Sequence, residues 1–265
     1  MSPGWAATSA TQRGSLHERS GAPNQDAHRA GTSPTAEFAV VADGHGHPRY
    51  LRSEVGSALA ASTAAAVLPA YLTGITHALT STAILDTDGL EEALAQLIVE
   101  QWRAAVEQHL AEHPLGEVDD PVSVYGTTLV ALAANESHLL AVQIGDGDLV
   151  LVTPSGESIR PFPADPEHDG VRTHSLAEPD PVAFLHVAVI DLSVQPVALA
   201  FVATDGFGTP QVERNWWEQV GRELLDRFAS NGITWVAAHL PGWLTEPAAV
   251  GGDDTTLALL ARLRP

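Results

Sequence analysis

Four aspartates in this sequence stand beside glycine at the edge of an apolar stretch. Asp43, Asp146 and Asp205 each follow such a stretch, and Asp253 precedes the last one. A carboxylate at a strand end projects into any cleft at that edge of the sheet, and a neighbouring glycine lets backbone approach closely. Converging carboxylates repel one another unless a cation lies between them, and oxygen ligands favour Mg²⁺ or Mn²⁺. A single Asp-Gly pair is ordinary turn chemistry, so the recurrence is what favours a metal site.

Hydrophobic spacing predicts the elements that must position these aspartates. The predicted strands are Trp5–Gln12, Glu37–Ala42, Ser123–Ala133, His138–Ile144, Asp148–Thr153, Ala183–Leu192, Val197–Thr204 and Thr255–Leu263. Helices are expected after Pro48, after the capping pair Asp88 and Glu91, after the similar pair Asn215 and Glu218, and over Ile233–Leu244. Arg13–Pro23 and residues 161–181 are expected to be loops, and Pro69–Thr87 a second short helix plus a loop. Because strands and helices come in blocks, the order favours one α+β sandwich over residues 1–265.

Composition excludes several kinds of chemistry. The 265 residues contain no cysteine and no lysine, so thiolate nucleophiles, P-loop lysines and Schiff bases are absent. The net charge of −20 repels nucleic acid, anionic membranes and phosphate, so a protein of this kind that acts on phosphate needs bound cations. With no apolar run of the roughly 18–20 residues needed to cross a bilayer and no signal-like start, we expect a cytoplasmic protein without membrane or nucleic-acid partners.

Six short motifs together resemble the metal-dependent type 2C serine/threonine protein phosphatases, in their bacterial form. Each is weak alone, but they follow the family's order over nearly the whole chain. They are Asn24–Ala27 (similar to Asn-Glu-Asp), Val41–Gly46 (Asp-Gly-His), Tyr125–Thr128 (Gly-Ser/Thr-Thr), Ile144–Asp146 (Gly-Asp-Ser), Ala203–Gly206 (Ser/Thr-Asp-Gly) and Gly252–Asp254 (Gly-Asp-Asn). The resemblance implies a four-layer α/β/β/α sandwich of two antiparallel sheets flanked by helices.

The resemblance also implies two bridging Mn²⁺ or Mg²⁺ ions and assigns their ligands. Asp43 would bridge both ions and the Gly44 carbonyl would bind one, while Asp205 and Asp253 would complete the other. Asp146 would match a ligand of a weaker third ion. Asp26 and Gln25 would lie behind these ligands as supporting residues.

The expected reaction is hydrolysis of phosphoserine or phosphothreonine in proteins. A water activated by two cations would attack phosphorus in line, and His45 would protonate the leaving alkoxide. His45 could instead be a structural loop residue, or form a zinc-binding pair with His47. The many carboxylates expected nearby favour harder metals than zinc.

Three departures from the family pattern bear on substrate affinity and on the third ion. Gln25 stands where the family has Glu, which should loosen the water shell of the second ion. Gly21 replaces the family's phosphate-binding Arg, leaving Arg19 or His17 as candidates for that role. Thr209 stands where many members have another Asp.

Two other functions remain possible from the sequence. The chain could be a catalytically weakened member acting as a binding or regulatory module, or a two-metal hydrolase of small phosphoesters. The first hypothesis, an active phosphatase opposing a Ser/Thr kinase, is favoured because the residues expected to hold metal directly are present.

Overall fold

The structure, a computed structural model, describes residues 4–80, 87–116, 118–162 and 173–263. Two antiparallel five-stranded sheets form its centre. The first sheet has the order β1 (Trp5–Gln12), β10 (Thr255–Arg262), β9 (Leu199–Ala203), β6 (Asp148–Val152), β7 (Ser158–Ile159). The second has the order β2 (Asp26–Thr32), β3 (Glu37–Asp43), β4 (Leu129–Ala134), β5 (His138–Ile144), β8 (His186–Asp191).

Helices cover the outer face of each sheet. Long helices α2 (Ser53–Thr80) and α3 (Thr87–Glu112) pack on the second sheet, and α5 (Trp216–Asn231) and α6 (Ile233–Gly251) pack on the first. Two short helices, α1 (Ser15–Ser20) and α4 (Asp205–Gly208), lie beside the strand ends. The predicted four-layer sandwich is therefore confirmed.

Strand alternation divides the core into three layers of side chains. Val41 of β3 faces the space between the sheets with Leu132 and Val202, whereas its neighbour Val40 faces α2. Successive residues of a strand point to opposite faces, so a strand covered on both sides is apolar throughout. This explains why β4 and β9 are buried at every position.

One edge of the sandwich gathers the strand ends that carry aspartates. β3 ends at Asp43 opposite Asp26, the first residue of β2. β9 ends at Ala203 opposite Asp148, the first residue of β6. Because the sheets face each other, these ends lie along a common edge.

Several local predictions were wrong at their boundaries. The loop expected over Arg13–Pro23 contains helix α1, and α2 continues through Pro69 instead of giving way to a second helix. The strand expected over Ser123–Ala133 begins only at Leu129, after a 3₁₀ turn at Ser123–Tyr125. Strand β2 was not predicted at all, because its sequence lacks an apolar run.

Helix α5 begins directly after Asn215, as the capping pattern predicts, and α3 begins at Thr87, one residue before Asp88, whose side chain lies outside what the structure describes. Asn215 makes no side-chain capping bond. Glu91 accepts a hydrogen bond from the Val189 backbone N–H of β8 at 3.1 Å, so it connects α3 to the sheet. The expected loop over residues 161–181 lies partly outside the described residues, as does the connection between α2 and α3.

Helix α2 is long and apolar enough over Ser53–Thr76 to cross a membrane, by length and composition alone. The core helix of a globular protein passes the same test, and 39% of the most apolar 18-residue window of this stretch is buried inside the protein. Its inward residues, among them Ala60, Ala64 and Leu68, pack on the second sheet.

Candidate metal centre

Asp43 is held at the end of β3 by the Gly-Thr-Thr segment that precedes β4. Its carbonyl accepts hydrogen bonds from Thr128 N–H (2.8 Å) and from the Thr127 hydroxyl (2.9 Å). Its own N–H donates to the Thr128 hydroxyl at 3.1 Å. These bonds fix the backbone from which the Asp43 side chain projects.

Gly44 turns the chain where no side chain fits. A Cβ at this position would lie 2.6 Å from the Ser53 carbonyl oxygen and 2.8 Å from that of Gln25. The Gly44 N–H donates to the Gln25 carbonyl at 3.1 Å. The glycine of the Asp-Gly-His motif is therefore required by packing between β2 and α2.

Asp205 and Asp253 approach the same edge from the first sheet. Asp205 opens α4 directly after β9, and Asp253 lies in the connection from α6 to β10. A Cβ on Gly206 would stand 2.0 Å from the Asp254 carbonyl oxygen, so the two loops touch through glycine. The recurring Asp-Gly pattern thus reflects both a carboxylate and a close backbone approach.

Electrostatics show that the predicted aspartates are neighbours. Burial raises the pKa of Asp43 well above its ordinary value, and the charges of Asp26, Asp205, Asp253 and Asp146 raise it further. Burial and Asp146 raise the pKa of Asp205 to about 6, although a hydrogen bond with Asp43 opposes the shift. The structure therefore brings together the five carboxylates that the sequence singled out.

Asp26 lies behind this group. Its Oδ2 accepts hydrogen bonds from the Thr204 hydroxyl (2.8 Å) and the Thr256 hydroxyl (2.6 Å). Burial raises its pKa to about 8, against the effect of these two bonds. Asp26 therefore links the start of β2 to β10 and to Thr204, the residue that follows β9.

The donor set fits hard divalent cations. Asp205 Oδ1 is buried and is among the few buried side-chain oxygens of the described residues with no hydrogen-bond partner. A buried unpartnered carboxylate oxygen is costly unless a cation or donor faces it. Together with the elevated pKa values of Asp43 and Asp205, it marks a place where positive charge would relieve repulsion.

A second group of potential metal ligands lies close by, but one of its carboxylates already accepts several hydrogen bonds. His17, Asp253 and Asp254 offer ligand atoms within 4.8 Å of one another, and no other described group of three reaches that spacing. However, the Asp254 carboxylate already accepts hydrogen bonds from Gly14 N–H, Gln25 N–H and His17 Nδ1. Since three of its roughly four lone-pair sites already accept hydrogen bonds, we retain Asp43, Asp205 and Asp253 as the candidate ligands.

His45 lies beside the aspartates in an enclosed position. The backbone N–H of His45 donates to the Gly126 carbonyl at 3.1 Å. The imidazole ring packs against the ring of Tyr50, with centroids 4.8 Å apart. Burial lowers its pKa to about 4, Asp146 opposes this shift and Arg49 adds to it. The ring is therefore neutral near pH 7 in the protein alone.

Asp146 lies in the turn after β5, where Gly145 takes the left-handed conformation (φ 96°). The next aspartate, Asp148, forms an ion pair with Arg160 that the sequence analysis missed. Burial raises the pKa of Asp148 to about 6, and Arg160 opposes that rise. No local sequence pattern predicts this pair, because Asp148 begins β6 and Arg160 lies beyond the turn, directly after β7. Thr209, where the family often has Asp, is exposed.

The residues predicted to bind the substrate phosphate or the metal-bound water all make hydrogen bonds to other protein groups. Arg19 is exposed on α1, and its guanidinium donates to Ser15 Oγ at 3.2 Å. His17, the other candidate, is engaged by Asp254 at 2.8 Å. The Gln25 amide donates to Ser53 Oγ at 2.7 Å, so its nitrogen supports α2.

A cavity of about 670 Å³ lies elsewhere, between α5, α6 and the segment after α4. Its lining includes Trp216, Leu240 and Trp243, and no aspartate is among the residues that line it. The titratable groups and the glycine contacts point to the strand edge instead, so we place the chemistry there.

One family model and many solved structures match this chain. The family model described as "Protein phosphatase 2C" matches residues 13–245. A search of curated protein sequences gives no match.

Solved structures share the fold. The Mycobacterium tuberculosis serine/threonine phosphatase PstP/Ppp superposes with a TM-score of 0.60 at 18% identity, over 98% of this chain and 99% of that chain. Stp1 from Staphylococcus aureus gives a TM-score of 0.62 at 14% identity, over 98% and 97%. A structure of the PstP catalytic domain in complex with two manganese ions gives 0.59 at 18% identity, over 98% and 99%.

Proposed function

The chain belongs to the protein phosphatase 2C family, the metal-dependent serine/threonine protein phosphatases, and we propose that Asp43, Gly44, Asp205 and Asp253 form its metal centre. The observation that carries the proposal is the buried, unpartnered Asp205 Oδ1 within a group of mutually repelling aspartates. Mn²⁺ or Mg²⁺ would suit these oxygens. When bound, such cations activate water near neutral pH and offset the charge of a phosphate.

The protein's own residues would then hold and protonate the substrate. His45 is the proposed donor of the proton that the leaving alkoxide needs. Its ring is neutral near pH 7 in the protein alone, but a phosphate dianion beside it would raise its pKa, since an opposite charge favours the protonated form. The Tyr50 ring, packed against the imidazole, would keep it oriented, and the hydrogen bond from the His45 backbone N–H to the Gly126 carbonyl would fix the backbone that carries it.

The proposal extends to a third ion, to the substrates, to the location and to the group that binds phosphate. Asp146, which lies close enough to Asp205 to raise its pKa, is our proposed ligand of a weaker third ion. We also propose phosphoprotein substrates made by a Ser/Thr kinase and a cytoplasmic location, the latter supported by the packing of α2 against the second sheet. We propose that Arg19 binds the substrate phosphate, because its side chain is exposed on α1.

The decisive assay is hydrolysis of p-nitrophenyl phosphate and of a phosphothreonine peptide, before and after exhaustive chelation. We expect activity to vanish with chelator and to return with Mn²⁺ or Mg²⁺. Full activity in protein shown to be metal-free by elemental analysis would contradict the proposed centre. Metal binding without turnover on either substrate would favour a regulatory module, and turnover of the small ester alone would favour a small-phosphoester hydrolase.

A further inference from the structure

The loop that carries Asp253 is bound by helix α1, near the N-terminus of the chain. The Leu16 N–H of α1 donates to the Gly252 carbonyl at 2.9 Å, and the Ser15 hydroxyl donates to the Ala249 carbonyl at 3.2 Å. A Cβ at Gly252, which has a φ of 88°, would stand 2.8 Å from the Leu16 side chain. Helix α1 therefore packs directly onto the loop.

Asp254 is the centre of this contact. It is 2% exposed. Its Oδ1 accepts Gly14 N–H at 2.8 Å, and its Oδ2 accepts Gln25 N–H at 2.6 Å and His17 Nδ1 at 2.8 Å. Because a carboxylate only accepts, His17 must carry its proton on Nδ1 here. Of the three donors, His17 alone contributes a side chain.

The contact continues to two proposed metal ligands. The Asp254 N–H donates to Asp253 Oδ1 at 2.8 Å, which orients the neighbouring carboxylate. The Gln25 carbonyl accepts Gly44 N–H at 3.1 Å, so the residue whose backbone N–H Asp254 holds also holds Gly44 through its carbonyl. One buried carboxylate thus sets the position of ligand-bearing backbone from both sheets.

We propose that His17 is a positioning residue for the metal centre: by donating from Nδ1 to Asp254, it holds Asp253 and Gly44 at the separation that cations require. This rests on the proposed function, because it assumes that Asp253 is a ligand. It also gives α1 a role. The helix lies where the family's phosphate-binding arginine is missing, and it delivers a side chain to the back of the site. Loss of an outer-sphere partner of this kind typically weakens metal affinity by roughly 10–100-fold.

The test uses two substitutions that differ by one bond length. In His17→Asn the amide nitrogen is attached at the same distance from Cβ as the imidazole Nδ1, whereas in His17→Gln it lies one carbon further out. We expect His17→Gln to weaken Mn²⁺ binding by about 10–100-fold in calorimetric titrations, and His17→Asn to stay within about threefold of the wild type. His138→Gln is the matched control, because His138 contacts Ser137 in the turn between β4 and β5, at the opposite end of the sheet.

Each outcome is decisive when Asp253→Asn is measured in parallel. If Asp253→Asn binds Mn²⁺ like the wild type, the proposed ligand set is wrong. If Asp253→Asn loses affinity but His17→Gln does not, only the role of His17 is overturned. A lower melting temperature of His17→Gln with unchanged Mn²⁺ affinity would make His17 merely structural. If His17→Gln fails to fold, folded His17→Asn with tenfold weaker binding would still refute the role of the hydrogen bond.

Discussion

Replacing Asp205 by Asn should stabilise the protein in chelator while abolishing strong metal binding. Burial and Asp146 raise the pKa of Asp205 from 3.8 to about 6. One pKa unit corresponds to about 1.4 kcal/mol, so the ionised carboxylate costs the metal-free fold roughly 3 kcal/mol. An amide at the same place also loses hydration, which costs about 1–3 kcal/mol. The net gain is therefore about 0–2 kcal/mol, or up to a few degrees in melting temperature.

The pH dependence identifies the cause of this gain. The folded pKa of Asp205 lies above its unfolded value, so the carboxyl group is protonated in both states below about pH 4 and costs nothing there. The cost grows as pH rises and is complete above about pH 6. The advantage of Asp205→Asn should therefore be present at pH 8 and absent at pH 4, in thermal unfolding with chelator.

Asp191 provides a control of opposite sign. Its exposed carboxylate accepts hydrogen bonds from the Ser193 N–H (2.8 Å) and hydroxyl (2.7 Å), which lower its pKa. Asp191→Asn should therefore be no more stable than the wild type at pH 8. If Asp205→Asn unfolds before the wild type in chelator at pH 8, Asp205 is a structural turn residue and the reasoning fails.

The remaining predictions concern His45 and Asp26. His45→Gln should lower kcat on a phosphopeptide by roughly 10²–10⁴-fold and far less on p-nitrophenyl phosphate, whose leaving group needs no proton. Equal losses on both substrates, together with a lost metal in elemental analysis, would instead make His45 a ligand. The folded pKa of Asp26 is about 8, so the metal-free fold keeps a proton that the unfolded chain releases near pH 4, and stability should fall as pH rises between these values. Asp26→Asn should flatten this slope in thermal unfolding at pH 5 and pH 8; an unchanged slope would show that Asp26 ionises normally.

Elements with a strong local signal were predicted well. The bounds of β1 and β5 match the prediction, and β3 differs only by including Asp43, because apolar strands ended by turn residues are recognisable without tertiary information. The family motifs were equally visible, since each is short and contiguous. The four aspartates beside glycine could therefore be chosen, and their convergence inferred, from the sequence.

Other features depended on contacts between distant residues. Judged from the local sequence, Pro69 should interrupt a helix. Helix α2 nevertheless continues through Pro69, because packing on the second sheet outweighs one lost hydrogen bond. Strand β2 has no apolar run and forms because β3 offers it a partner along its whole length. The polar segment at Ser15–Ser20 becomes helical where it packs on the Gly252 loop.

The sequence by itself determined which residue types could bind cations and where strands would end, because both follow from local composition and periodicity. Only the tertiary structure decided what stands behind those residues. Asp254 and His17 are 237 positions apart, and Asp26 and Thr256 are 230 apart, so no spacing rule connects them. Such partners are selected by how two sheets pack face to face, and packing is a property of the whole chain.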